Sequence, residues 1–260
     1  MTQSIQPRIR RIVAPNPGIM TYHGTNTYLV GAGDAFIVLD PGPAIEAHVE
    51  AILLATRGRI RAILLTHYHR DHCGAVDLLR NEVPAPLLAF APAGTPAVEP
   101  DVTLADGQTV FGLQVIHTPG HAADHVCFTL PDGIVFSGDH VMSWSSSVVS
   151  PPLGNMADYC SSLRRLINRN DSLFLPGHGP PLQEPAAYTA DLLHHRIERE
   201  EAILNLLRSG PCLPARIVET LYAKRDRRLL GAAERNVMAH LQKLAAEARV
   251  AEGPRGWTAL

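Results

Sequence analysis

Short apolar runs separated by glycine- and proline-rich turns fill the chain up to about residue 183. Runs of this length, rich in Val, Ile, Leu and Phe and bounded by turn signals, read as strands. The pattern predicts strands over Thr27–Val30, Ala35–Leu39, Ile60–Leu65, Leu87–Phe90, Gln114–His117, Val126–Leu130, Gly133–Ser137 and Ser172–Leu175. Helices are predicted near Ile45–Thr56, Cys73–Arg80 and Met156–Asn168. The turns include Asp40-Pro-Gly-Pro43, Pro119-Gly120, Pro131-Asp-Gly133 and Pro176-Gly-His-Gly-Pro180. Strands interleaved with helices give an α/β class, a layered core built on a mixed sheet.

After residue 183 the texture changes. Glu184–Ser209 reads as one long helix, with Leu192, Ile197, Ile203 and Leu207 at roughly helical spacing, stopped by Gly210-Pro211. Leu213–Tyr222 and Ala232–Ala248 read as further helices, and Arg249–Leu260 as a hairpin turning at Gly253-Pro-Arg-Gly256. Helices followed by a small ribbon suggest a winged helix. The expected organisation is therefore an α/β domain over 1–183 and a long helix plus winged-helix domain over 184–260.

Composition narrows the picture. With 260 residues, 46% hydrophobic and 18% charged, the chain has the make-up of a soluble globular protein. A net charge of −2 gives no overall bias toward nucleic acid or anionic membrane. The first residues show no apolar signal core, and no apolar run is long enough to span a bilayer. Cys73, Cys127, Cys160 and Cys212 are far apart and form no CxxC pair, so they read as reduced, mostly buried thiols. A cytoplasmic location is expected, without membrane partners.

The candidate chemistry lies in Thr66-His67-Tyr68-His69-Arg70-Asp71-His72, directly after the apolar stretch Ile60–Leu65. On a strand end, His67 and His69 point the same way and can grip one metal ion. If the chain then turns, Asp71 and His72 can face a second ion. Imidazole with carboxylate suits zinc, iron or manganese, and such a set leaves room for water. Further candidate ligands follow other predicted strands: His117-Thr-Pro-Gly-His121, Ser137-Gly-Asp139 and Pro176-Gly-His178. A lone histidine in a turn is usually a surface residue. Several of them at successive strand ends point to one site.

On these residues the chain resembles the metallo-β-lactamase superfamily. His67, His69, Asp71 and His72 match its HxHxDH signature, and His121, Asp139 and His178 match its later ligands. The resemblance implies an αββα sandwich. It implies one metal held by His67, His69 and His121, another by Asp71, His72 and His178, and Asp139 bridging both. Leu39-Asp40-Pro-Gly42 matches a recurrent element whose aspartate, here Asp40, orients a ligand imidazole without binding metal. Asn16-Pro-Gly18, Gly24-Thr-Asn-Thr-Tyr28, His117–His125 and the C-terminal winged helix look like the lactamase-beta-2-like hydrolases. Glyoxalase II shares much of the metal site but has a different C-terminal extension.

The expected function is a dinuclear hydrolase acting on a small thioester or ester through a hydroxide bridged by two divalent ions, first of all Zn2+, with Fe or Mn open. Asp71 is expected to orient that hydroxide and carry a proton to the leaving group. The alternative is an endoribonuclease cleaving single-stranded RNA at the same centre, with Arg8–Arg11 and Lys224–Arg228 as basic contacts. A nucleic-acid-binding regulator using the winged helix is a third reading, disfavoured by the mixed charges of Ala232–Ala248. A homodimer through the C-terminal helices is compatible with the sequence. His125 and His140 are expected to pack or support, Asn26 and Tyr28 to form a turn or reach the site mouth, and the Trp144 loop to connect strands or shape a pocket.

Overall fold

The computed structural model describes residues 2–32, 35–91 and 98–260. They fall into two compact units. The first comprises residues up to His117, Asp124–Ser145 and Asp171–Glu184. The second comprises Thr118–Ala123, Ser146–Asn170 and Pro185–Leu260.

Two sheets make up the first unit. One has seven strands in sequential order: β1 (Thr2–Gln6), β2 (Ile9–Val13), β3 (Asn26–Ala32), β4 (Ala35–Leu39), β5 (Ile60–Leu64), β6 (Leu87–Ala89) and β7 (Val102–Thr103). β1 to β4 run antiparallel, and β4 to β7 run parallel. The other has six: β8 (Thr109–Val110), β9 (Leu113–His117), β10 (Val126–Thr129), β11 (Ile134–Gly138), β12 (Leu173–Pro176) and β13 (Leu182–Gln183), with β11 and β12 parallel.

Period two explains the layers. Ile37, Leu39, Ala62 and Leu64 face Val115, Phe128, Phe136 and Leu175 of the other sheet. Their neighbours Val38 and Ile63 point the opposite way. There they bury Val49 and Ile52 of α1 (Glu46–Thr56) and Val76 and Leu79 of α3 (Val76–Glu82). Between them lies the short helical turn α2 (Arg70–Cys73).

The single helix expected over Cys73–Arg80 is thus two pieces. The chain leaves the first at Gly74, and Ala75 N–H turns to the Gly42 carbonyl instead of continuing the ladder. The hairpin of β1 and β2 was not foreseen. β1 is polar and mostly exposed, so it carries no apolar signature.

The second unit holds α4 (Met156–Ile167), α5 (Pro185–Arg208), α6 (Pro214–Leu221), α7 (Leu230–Ala246) and the ribbon of β14 (Val250–Gly253) and β15 (Gly256–Ala259). α4 starts at Asn155, whose side chain accepts the N–H groups of Ala157 and Asp158. α5 starts at Pro185 rather than at Glu184, because Glu184 takes a left-handed φ of 47° and breaks the helical path. Ile203, Leu207, Ile217, Val237, Leu241 and Trp257 join α5, α6, α7 and the ribbon in one core. Among the described residues, no helix is long and apolar enough to cross a membrane.

Candidate metal centre

The first unit gathers its chemistry where strands end. Asp40 follows β4, His67 and His69 follow β5, and Asp71 and His72 lie on α2. Asp139 follows β11 and His178 follows β12. His67, His69 and Asp139 each offer a ligand atom within 4.8 Å of the others, and so do Asp71, His72 and His178. His121 belongs to the second unit, in the turn after β9. It is buried, and its Nδ1 donates to the Val148 carbonyl at 2.7 Å.

Hydrogen bonding fixes how each ring is presented. The Asp40 carboxylate, 1% exposed, only accepts. It takes Thr66 N–H at 2.7 Å, the Thr66 hydroxyl at 2.7 Å and His72 Nδ1–H at 2.9 Å. In its neutral form His72 therefore presents the Nε2 lone pair. Thr66 has spent its proton on Asp40, so its oxygen accepts from His67 Nδ1–H at 3.0 Å. His67 Nε2 is then also a lone pair, facing His69 Nδ1 at 2.9 Å. His178 Nδ1 donates to the Gly24 carbonyl at 3.3 Å, and its Nε2 lies 3.3 Å from His72 Nε2. Lone pairs and carboxylate oxygens converging at such range repel unless positive charge sits among them. This donor set fits divalent cations.

The same field governs protonation. Burial pushes the His72 pKa down, but the carboxylates of Asp139, Asp71 and Asp40 outweigh it and hold it well above the ordinary imidazole value. Burial likewise opposes charge on His178, yet Asp139 and Asp71 raise it to about 9. Burial raises the two aspartates, and the facing imidazoles reverse this. Asp71 falls to about 2, and Asp139 lies well below the usual carboxylate range.

Several groups support the ligands, and two of them, Thr66 and Asp124, escaped the sequence reading. Thr66 links Asp40 to His67, as above. Asp124 accepts Tyr68 N–H at 2.7 Å, fixing the peptide between His67 and His69. His125 Nε2 accepts Asp139 N–H at 3.2 Å. Asn26 donates to the carbonyls of Pro176 and Gly179 at 2.8 Å each, and the Tyr28 hydroxyl to Pro176 at 2.8 Å. Asn26 and Tyr28 thus clamp the turn that carries His178. Gly177 must stay without a side chain, since a Cβ would stand 2.4 Å from Asp139 Oδ1 and 2.6 Å from His72 Cε1. Cys73 is buried, its thiol donates to the Tyr68 carbonyl, and burial raises its pKa to about 11. It packs. Of the signals available, Asp124 and His125 stood in the His117–His125 segment. Thr66 stood beside the first ligand.

The metallo-beta-lactamase superfamily profile matches residues 20–178, and the beta-lactamase associated winged helix domain matches 214–257. The chain is 33% identical to a beta-lactamase-like protein 2 homolog of Drosophila melanogaster, over 92% of this chain and 88% of that protein. It is 34% identical to an atrochrysone carboxyl ACP thioesterase of Aspergillus chevalieri, over 80% of this chain and 68% of that one. Among solved structures, a metallo-beta-lactamase family protein from Thermus thermophilus superposes with a TM-score of 0.83 at 23% identity, covering 99% and 100% of the two chains. TTHA1623, solved in a di-iron-bound form, superposes with a TM-score of 0.57 at 30% identity, covering 68% and 96%. The chain belongs to the metallo-β-lactamase superfamily, generally hydrolases, with that family's α/β sandwich and a C-terminal winged-helix domain.

Proposed function

We propose that the protein is a hydrolase with two metal ions, acting on a small thioester or related ester. The observation that carries this reading is the convergence of imidazole lone pairs and aspartate oxygens into two adjacent donor groups. We assign one ion to His67, His69 and His121, the other to Asp71, His72 and His178, and Asp139 to both. Zinc suits this donor set, and iron or manganese would be held by the same atoms. When bound, the pair supplies a lowered water pKa and a Lewis-acidic contact for the substrate carbonyl.

The chain's own groups do the rest. Asp71 is the most open of the centre's carboxylates, with 30% of its side chain exposed against 10% for Asp139. It orients the attacking water and takes its proton. The water oxygen forms the new C–O bond, the C–S bond breaks, and the proton passes from Asp71 to the departing sulfur. Asp40 holds the His72 ring throughout.

The surroundings favour an apolar acyl group. The rings of Trp144 and Tyr22 stack at 5.1 Å, and Ile19, Met20 and Tyr22 are exposed. Trp144 lies against the turn bearing His178, since a Cβ on Gly179 would stand 2.7 Å from its Cδ1. The name of the Aspergillus chevalieri relative points the same way. RNA cleavage draws less support, because three of the cations it would use are engaged. Arg11 donates to the Gly179 carbonyl, Arg10 lies 4.5 Å over the Phe36 ring, and Arg228 is tied to Asp226 at 2.7 Å.

The test is turnover of a short-chain acyl thioester beside a labelled single-stranded RNA, with metal content measured on the same sample. About two metal equivalents with thioester turnover is the expected result. Two metals with RNA cleavage alone would move the assignment to the nuclease. Failure to take up metal would overturn the hydrolase reading itself.

A further inference from the structure

We propose that Asn236 and Arg196, on the C-terminal helices, are positioning residues for His121. The proposal rests on the reading of His121 as a metal ligand. Its starting point is the Val148 carbonyl. A carbonyl only accepts, so His121 Nδ1 carries the proton and Nε2 presents the lone pair. Ligating histidines are commonly held by such a partner on the other ring nitrogen, which sets both tautomer and ring angle.

Val148 is held on both sides by side chains from far along the chain. Arg196 of α5 donates through Nη2 to the Ser147 carbonyl. Asn236 of α7 accepts Val149 N–H through Oδ1 at 3.0 Å. The two are joined, because Arg196 Nη1 also donates to Asn236 Oδ1 at 3.3 Å. Asn236 Nδ2 donates to the Ala232 carbonyl at 3.1 Å, which fixes which end of the amide faces Val149.

Arg196 is only 3% exposed, with its guanidinium 5.1 Å over the Tyr159 ring. A buried guanidinium is costly unless its donors are used, and here Nη2 serves the Ser147 carbonyl and Nη1 the Asn236 amide oxygen that holds Val149. The other flank of His121 is fixed as well. Asn155 N–H donates to the Gly120 carbonyl at 2.8 Å, and the Tyr159 backbone lies where a Gly120 side chain would be.

An anchor for a surface loop would affect folding alone. A positioning relay would affect one metal ion. The experiment is stepwise zinc affinity by chelator competition on the full-length protein, for wild type, Asn236→Ala, Asn236→Asp and His121→Ala. Asn236→Ala should weaken one zinc by about tenfold or more. That zinc should be the one His121→Ala removes, with the other ion unchanged. Asn236→Asp keeps the acceptor for Val149 N–H and should bind both ions as wild type does. If His121→Ala leaves both affinities intact, the ligand reading fails and the relay with it. If His121→Ala removes an ion and Asn236→Ala removes none, the relay alone fails. Equal loss of both ions in Asn236→Ala, alongside a fallen unfolding midpoint, would make Asn236 merely structural and also overturn it. Should Asn236→Ala not fold, Arg196→Lys takes its place with the same thresholds.

Discussion

The buried imidazoles of His72 and His178 in the first unit and of His240 in the second behave in opposite ways. In the first unit, His72 and His178 face the carboxylates of Asp71 and Asp139, and both are driven toward the charged form against the cost of burial. In the second, His240 is equally buried and lies 3.5 Å from Glu200, yet burial lowers its pKa. The difference lies in what else the carboxylate holds. Glu200 already accepts Lys243 at 2.8 Å and Arg249 at 3.4 Å, so its charge is answered within the fold. Asp40 and Asp71 beside His72 are met by backbone, hydroxyl and imidazole groups. A balanced cluster holds helices together. An unbalanced one recruits charge from outside.

The largest effect should come from removing the charge that both donor groups share. Asp139→Ala is expected to cut turnover by about a thousandfold or more and to leave at most one metal per chain. Elemental analysis of the purified variant checks this. Retention of both ions would break the contrast at its root.

Next in size is the balanced cluster. Glu200→Gln removes the carboxylate shared by Lys243 and Arg249 and should cost roughly 2–3 kcal/mol of unfolding free energy. Metal content should not change. Urea unfolding and metal analysis on one preparation measure both. Loss of metal there would mean that the second unit's charges serve the centre too.

Asp40→Asn sharpens the comparison on the other side. The amide retains an acceptor for Thr66 but replaces a carboxylate oxygen that holds both His72 and the Thr66 hydroxyl. Metal affinity should fall by about 10–100-fold, with little change in the apparent size or helix content of the protein. Wild-type affinity in a chelator titration would remove Asp40 from the account.

Much of this was legible in advance because the informative signals are local. The strands of the sandwich core are contiguous apolar runs, and the clustered His and Asp residues sit immediately after them. β5 with His67 and β12 with His178 are examples. What was not legible is contact across distance. Asn26 reaches Pro176 across 150 residues of sequence, and Asn236 reaches Val149 across 87. Neither residue type announces such a bond. The two-residue strands β7, β8 and β13 escaped for another reason, being too short to show any periodicity.

The smallest effect concerns His48, a buried histidine of the first unit that lies outside the centre. Its Nε2 donates to Thr27 Oγ1 at 2.8 Å, because that hydroxyl gives its own proton to the Asp40 carbonyl at 2.6 Å. Burial lowers the His48 pKa from 6.5 to about 4. A depressed imidazole pKa means that the unfolded chain takes up a proton before the folded one does. Stability is therefore complete above the unfolded pKa and is lost as pH falls through the window from about 6.5 toward about 4. Between pH 7.5 and 5.5 the loss from this residue should be about 1.3 kcal/mol. Comparing wild type with His48→Gln by denaturant unfolding at both pH values isolates it, since titration of the centre is common to the two proteins. A difference that stays constant with pH would mean that burial leaves the His48 pKa unshifted, and one that changes in the opposite sense would place His48 among the charge-recruiting imidazoles.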